Sequence, residues 1–210
     1  MSKSIGLLFM GYLIGSIPFA YLMTRLSVRR DVRCAGDGNV GARNALRVGG
    51  PVAGLLTVLL DSGKGAAAYW LNVRWADSDA GMYLTAIGLM LGHGFPIWLR
   101  GRGGKGLAAA TGFISQLWPQ AFIIAAAIAV LIWGLTAHWE LSFGVGSAAF
   151  LLLTIWQGND LHGMLLILLL LGMALLKKLI DLPYEQALQR AQESAKTWED
   201  EAARGEIRHR

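Results

Sequence analysis

Apolar stretches of roughly bilayer-crossing length recur along this chain, and they leave few folds open to it. The first, GLLFMGYLIGSIPFAYLMT from Gly6 to Thr24, is too long and too uniformly apolar for a strand. A bilayer core about 30 Å thick takes roughly 20 apolar residues per helix. Segments of that kind lie at about 4–26, 51–73, 80–99, 106–117, 119–137, 141–156 and 161–182. With 54% hydrophobic and 16% charged residues over 210 positions, lipid rather than water is the main solvent. The reading is an all-α integral membrane protein of about seven transmembrane helices. The fourth and sixth segments are short and fit tilted or partly inserted helices, which leaves a count of six open.

Charge gives the orientation. Arg25, Arg29, Arg30, Arg33, Arg43 and Arg47 fill the first connection, Arg100, Arg102 and Lys105 the third, and Lys177 and Lys178 close the seventh segment. Connections two and six carry Arg74 with Asp77 and Asp79, and Asp160. The positive-inside rule then sets the N-terminus outside and the C-terminus in the cytoplasm. The basic residues follow the first segment rather than precede it, so that segment reads as a retained helix and not a signal peptide. A single cysteine, Cys34, excludes an intrachain disulfide, and no metal-ligand set stands near it. Composition changes near Pro183, dividing a membrane domain, 1–182, from a charged cytoplasmic helix or tail, 183–210, with Ala187, Leu188, Ala191, Ala195 and Trp198 at roughly helical spacing.

Several residues have structural and chemical readings side by side. Gly11 with Gly15, and Gly88 with Gly92, have the small-residue spacing that lets membrane helices approach closely. Asp61 and Lys64 share one face of an otherwise apolar span and read as an internal ion pair. Gly36, Gly38 and Gly41 repeat the G-x-G-x-x-G spacing of dinucleotide sites, but neither the preceding strand nor a ribose-binding acid is present, so no nucleotide or nucleic-acid partner is expected. Together with GRGGKG, Gly101 to Gly106, they form two glycine-rich loops amid Arg and Lys on one side of the membrane. Such loops can aim backbone N–H groups at phosphate, with Arg47 and Lys105 as cationic partners. The plainer reading of the cations is headgroup contact.

Four stretches in order, GSIPFAYL (Gly15 to Leu22), GDGNVGARNALR (Gly36 to Arg47), DSGKG (Asp61 to Gly65) and GHGFPIWLRGRGGKG (Gly92 to Gly106), resemble the bacterial acyl-phosphate:glycerol-3-phosphate acyltransferase family, often called PlsY. The resemblance implies a seven-helix enzyme of the bacterial plasma (inner) membrane, its active site facing the cytoplasm. It implies transfer of a fatty acyl group from acyl phosphate to the 1-hydroxyl of sn-glycerol 3-phosphate, giving lysophosphatidic acid and phosphate, without cofactor or metal. By the same resemblance Asp37, Asn39, Arg47, His93, Lys105 and Ser142 are the catalytic candidates. Gly36, Gly38, Gly41, Arg43, Asn44, Arg102, Gly103 and Gly104 are the substrate-binding ones, and the partners are acyl phosphate, glycerol 3-phosphate and the bilayer.

The chain also departs from the family pattern. Asp37 stands where that loop usually has Ser, and Arg43, in place of the usual Thr, is a candidate partner for it. The family's last helix ends in His-x-x-Asn-x-x-Arg-Leu and then Gly-x-Glu. Here GMALLKKLIDLPYE offers Lys178, Leu179 and Glu185. A paralogue that binds phospholipid precursors or a protein partner is therefore the alternative to an active enzyme.

Overall fold

The computed structural model describes residues 2–157 and 161–203. Nine α-helices are formed among them, with no strand: α1 Ser2–Gly15, α2 Phe19–Val28, α3 Ala42–Gly49, α4 Pro51–Trp75, α5 Asp79–Gly94, α6 Leu107–Ile114, α7 Pro119–Thr136, α8 Trp139–Trp156 and α9 Leu161–Ala203. Asp160 and residues 204–210 lie outside the described residues.

All seven apolar segments are helical, but their boundaries differ from the simple reading. The first segment is not one helix. It breaks at Ser16–Pro18, because Pro18 lacks an N–H and disfavours helical backbone in the residue before it. The fourth forms only α6, eight residues and about 12 Å, too short to cross a bilayer by itself. Four stretches among the described residues are long and apolar enough to cross: Lys3–Val28, Asp79–Leu99, Pro119–Thr136 and Leu161–Trp198. The compositional change at Pro183 is not a backbone break. α9 runs 43 residues through it, about 64 Å and far beyond a bilayer core.

Reciprocal glycines join α1 to α5. A Cβ on Gly11 would stand 2.5 Å from Thr85 O, and one on Gly15 would collide with Leu89 O. In return, Gly88 faces Leu8 O and Gly92 faces Tyr12 O just as closely. Gly65 and Gly112 do the same between α4 and α6, against Ala109 O and Ser62 O. Small residues let two backbones touch and gain dispersion contacts that lipid cannot supply. Around this seam Ala68, Ala86, Leu89, Met90, Phe113, Leu166 and Leu170 form the main core. A second cluster of Ala121, Ala125, Phe150 and Ile167 seats α7 and α8 on α9.

At the end of the fold reached by α2, a third cluster, Ala20, Val32, Val40, Ala45 and Leu99, packs the connections together. Asp31 nucleates that end. Its Oδ1 accepts from Arg33 N at 2.9 Å, capping the 3-10 turn Val32–Cys34, and its carboxylate grips the Arg33 guanidinium at 2.7–3.2 Å. Arg33 Nη1 reaches on to Leu99 O at 3.3 Å, tying the first connection to the third.

Two outcomes follow for stability. Gly15→Leu or Gly88→Leu forces a side chain into a backbone carbonyl and is expected to cost about 1–3 kcal/mol or prevent α1–α5 packing altogether, read as a lowered thermal midpoint in detergent. Gly134→Ala in α7, where an added Cβ meets nothing within 4 Å, should leave that midpoint unchanged or raise it. The Arg33 hydrogen bonds hold the Asp31 carboxyl below its usual 3.8. A lowered folded-state value stabilises above the unfolded pKa and is lost as pH falls through the folded one. Between about pH 5 and pH 3 the thermal midpoint should therefore drop, and Asp31→Asn should flatten that drop.

Candidate functional site

The first glycine loop is built around Asn44, which is fully buried on α3. Its amide nitrogen donates to Val32 O and Ala35 O, both at 2.9 Å, and to Asn39 O at 3.1 Å; its Oδ1 accepts from Asp37 N at 3.2 Å. Gly36 and Gly38 take left-handed backbone, φ +61° and +75°, which a side chain would strain. Gly38 N donates to Ala35 O, and Asn39 N to Asp37 Oδ1. The amides of residues 37, 38 and 39 are thus spent inside the loop. Gly36 and Gly38 serve turning and close packing there. Asn44 is correspondingly a staple of the loop.

Asp37 does not leave its carboxylate loose. While its Oδ1 accepts from Asn39 N, its Oδ2 lies 3.6 Å from Arg47 Nη1, so Arg47, half-exposed one turn beyond Asn44 on α3, is a cationic partner. Gly41 caps α3 in extended backbone, and Arg43 projects outward from the first turn.

The second loop is as self-contained as the first. Gly103 N donates to Gly94 O and Gly104 N to His93 O, both at 3.1 Å, so these amides satisfy the last carbonyls of α5. A Cβ on Gly104 would run into Val40 O and stand 2.6 Å from His93 Nε2. Gly104 is therefore the point where the two loops and the histidine meet. Lys105 turns the other way and pairs with Glu185 of α9 at 2.9 Å. The Arg102 guanidinium lies 5.3 Å from the Tyr184 ring centroid.

His93 is buried in the last turn of α5. Its Nδ1 is 3.8 Å from Asp61 Oδ1, and that same oxygen pairs with Lys64 Nζ at 2.8 Å, as the spacing on α4 predicts. Lys64 also donates to Gly15 O and Ile17 O, each at 2.9 Å. Ser16, Asp61, Lys64 and His93 surround a void of about 10 Å³. Ser142 joins neither network: its hydroxyl donates to His138 O at 2.8 Å, on a helix that packs chiefly against α7.

Between the loops and α9 lies a cavity of about 240 Å³. It brings Gly38, Asn39, Arg102 and Gly103 to the α9 side chains Lys177, Asp181, Tyr184 and Glu185. Lys177 is buried, pairs with Asp181, and stands 5.0 Å from the Phe95 ring centroid. The sequence marked Lys177 only as a topology signal and left Asp181 and Tyr184 unremarked. The i, i+4 spacing of Lys177 and Asp181, at the end of a long apolar span, is the signal that points to them. No group of three His, Cys, Asp or Glu side chains suited to a metal ion occurs among the described residues.

The chain is similar to a glycerol-3-phosphate acyltransferase of Rhodopseudomonas palustris (strain BisB5), 42% identical over 135 residues, 64% of this chain and 66% of that protein. A Myxococcus xanthus protein of the same description is 45% identical over 132 residues, 62% of this chain and 68% of its own. The matched stretch thus spans about two thirds of the length of these curated relatives. Among solved structures, PlsY (YgiH), described as an integral membrane glycerol 3-phosphate acyltransferase in its glycerol 3-phosphate form, superposes with a TM-score of 0.74 at 25% identity, covering 86% of this chain and 90% of that one. The family described as Glycerol-3-phosphate acyltransferase matches residues 5–189, nearly the whole apolar body with both loops and the cavity, and the chain belongs to that family.

Proposed function

We propose that this protein is a membrane acyltransferase that moves a fatty acyl group from acyl phosphate to the 1-hydroxyl of sn-glycerol 3-phosphate, giving lysophosphatidic acid and phosphate. The observation that carries this reading is the convergence of both glycine loops on one charged cavity beside apolar helices. Family membership and the glycerol 3-phosphate form of the similar solved structure support it. The seven apolar segments lie in a bacterial plasma membrane with the N-terminus outside, and the loops and the end of α9 face the cytoplasm. The charged stretch from residue 183 onward forms the cytoplasmic end of the molecule.

The chemistry asks little of a protein nucleophile. The hydroxyl oxygen attacks the acyl carbonyl carbon, phosphate departs with the electrons of the cleaved C–O bond, and the hydroxyl proton passes to the departing phosphate. Because phosphate leaves readily, holding the two reactants together and offsetting their charge can supply most of the rate enhancement. With the amides of residues 37–39, 103 and 104 already engaged, side chains recognise the anions: Arg47 and Lys105 bind phosphate by charge-assisted hydrogen bonds at the edge of the cavity that Asn39 and Arg102 line, each next to a carboxylate partner, Asp37 or Glu185. Each cation then exchanges a resident carboxylate, Asp37 or Glu185, for substrate.

Purified protein in lipid, given acyl phosphate and glycerol 3-phosphate, should release phosphate and lysophosphatidic acid in equal amounts. Binding without turnover would favour the paralogue reading. Arg47→Ala and Lys105→Ala should each lower kcat/KM for glycerol 3-phosphate roughly 10- to 100-fold, the equivalent of about 1.5–3 kcal/mol of charged hydrogen bonding. Arg30→Ala, exposed in the first connection ahead of the glycine loop, should change it less than twofold, roughly the spread of a surface substitution. In intact cells, exposed Cys34 should resist a membrane-impermeant maleimide and react once the membrane is permeabilised. Reaction from outside would overturn the orientation.

A further inference from the structure

α9 does more than complete the bundle, because one of its faces lies along both glycine loops. Tyr184, Leu188 and Gln192 recur at every fourth position and so share that face. Tyr184 Oη donates to Arg33 O at 2.9 Å, just before the first loop, and Gln192 Nε2 donates to Gly36 O at 3.1 Å within it. Between them Leu188 lies against Gly38, where an added Cβ would stand 2.8 Å from Leu188 Cδ2. The second loop is held by the same stretch of helix, through Lys105 paired with Glu185 and Arg102 over the Tyr184 ring.

A helix that merely projected into water would spend these side chains on solvent. Here two donors go to loop carbonyls, and a leucine closes on a glycine whose backbone is left-handed. The loop needs such a brace. Glycine carries more backbone freedom than any other residue, so a segment with Gly36, Gly38 and Gly41 has many shapes of similar energy unless something outside it selects one. Asn44 selects from the α3 side, and α9 supplies the opposing contacts.

We propose that the α9 face formed by Tyr184, Leu188 and Gln192 is a clamp that sets the shape of the first glycine loop against the second, with Leu188 and Gln192 as positioning residues for the acyl-phosphate donor. The assignment of the donor rests on the reading of function above, in which Arg47 and Lys105 take glycerol 3-phosphate, and adds to it that the first glycine loop, Gly36 to Asn44, holds the acyl phosphate. Neither residue touches the reacting atoms, and both act through the backbone of Gly36 and Gly38. Loosening the clamp leaves the chemical step intact and weakens the pre-formed donor site, so the cost falls on KM for the donor.

Cys34, the chain's single cysteine, is exposed two residues before Gly36 and reports on the loop independently of turnover. The test uses full-length protein in lipid, comparing the parent with Gln192→Ala, Leu188→Ala and Leu188→Met. The alanine variants should raise the rate of Cys34 alkylation and raise KM for acyl phosphate, each about fivefold, with kcat and KM for glycerol 3-phosphate within about twofold of the parent. Leu188→Met, which keeps the apolar contact, should behave as the parent. Unchanged Cys34 rates in the alanine variants overturn the clamp. So does a faster Cys34 with an unchanged donor KM, or a kcat that falls in step with both KM values. If the parent itself does not turn over, the reading of function falls, while Cys34 still decides the clamp: equal rates in parent and variants overturn it, and faster variants uphold it.

Discussion

The ammonium group of Lys64 is the point on which the rest of the structure depends. α1 ends at Gly15 in the middle of an apolar stretch, where terminal carbonyls have no water to turn to. Lys64 donates to Gly15 O and Ile17 O across the break, and Asp61 supplies its counter-charge from one turn away on the same helix. A cation at a helix C-terminus also meets the negative end of the helix dipole. Without this stitch, a broken helix in lipid would leave unsatisfied backbone groups. With it, α2 can leave at a new angle and carry Val32 and Val40 onto Ala45 and Leu99. His93, the loops and the cavity are arranged on that platform.

How much of this was legible depends on the range of the interaction. All seven apolar segments became helix, because hydrophobic length is a local property and the bilayer fixes what it must satisfy. The glycine pairs 11/15 and 88/92 were readable for a related reason: the spacing of small residues marks a close-packing face even before its partner is known. Pro18 also signalled its break, but the length of the apolar run concealed it. The Asp61–Lys64 pair could be read from an i, i+3 spacing, whereas the two carbonyls that take the other ammonium protons lie 47 and 49 residues back, and no local pattern announces them.

The loops show the opposite limit. Glycine permits three different things, namely a left-handed turn, a close backbone approach and an exposed N–H, and composition does not say which one is used. At Gly36 and Gly38 it is the turn; at Gly103 and Gly104 the amides answer the carbonyls of Gly94 and His93, and the missing Cβ of Gly104 admits Val40. Asn44 likewise looked like a ligand-facing polar residue in a loop motif. Its burial and four hydrogen bonds make it the peg on which the loop is wound.

Arg47 and Lys105 share a further property, which is that each already has a carboxylate partner: Asp37 for Arg47 at 3.6 Å, and Glu185 for Lys105 at 2.9 Å. An unpaired cation in a partly buried site is costly, and a permanent tight pair would exclude substrate. A resident carboxylate that can be exchanged resolves both demands, since phosphate offers more charge and more acceptor atoms than the group it displaces. Asp37 in the place usually held by a hydroxyl then acquires a physical meaning. In the proposed reading Arg47 standing between the two anions offsets their repulsion, and when the guanidinium turns to the substrate the amide of Asn39 still holds Asp37 in place. Under the same proposal, exchange at Lys105 would free Glu185 on α9, so that filling the cavity with an anion would redistribute charge along the very helix that braces the loop.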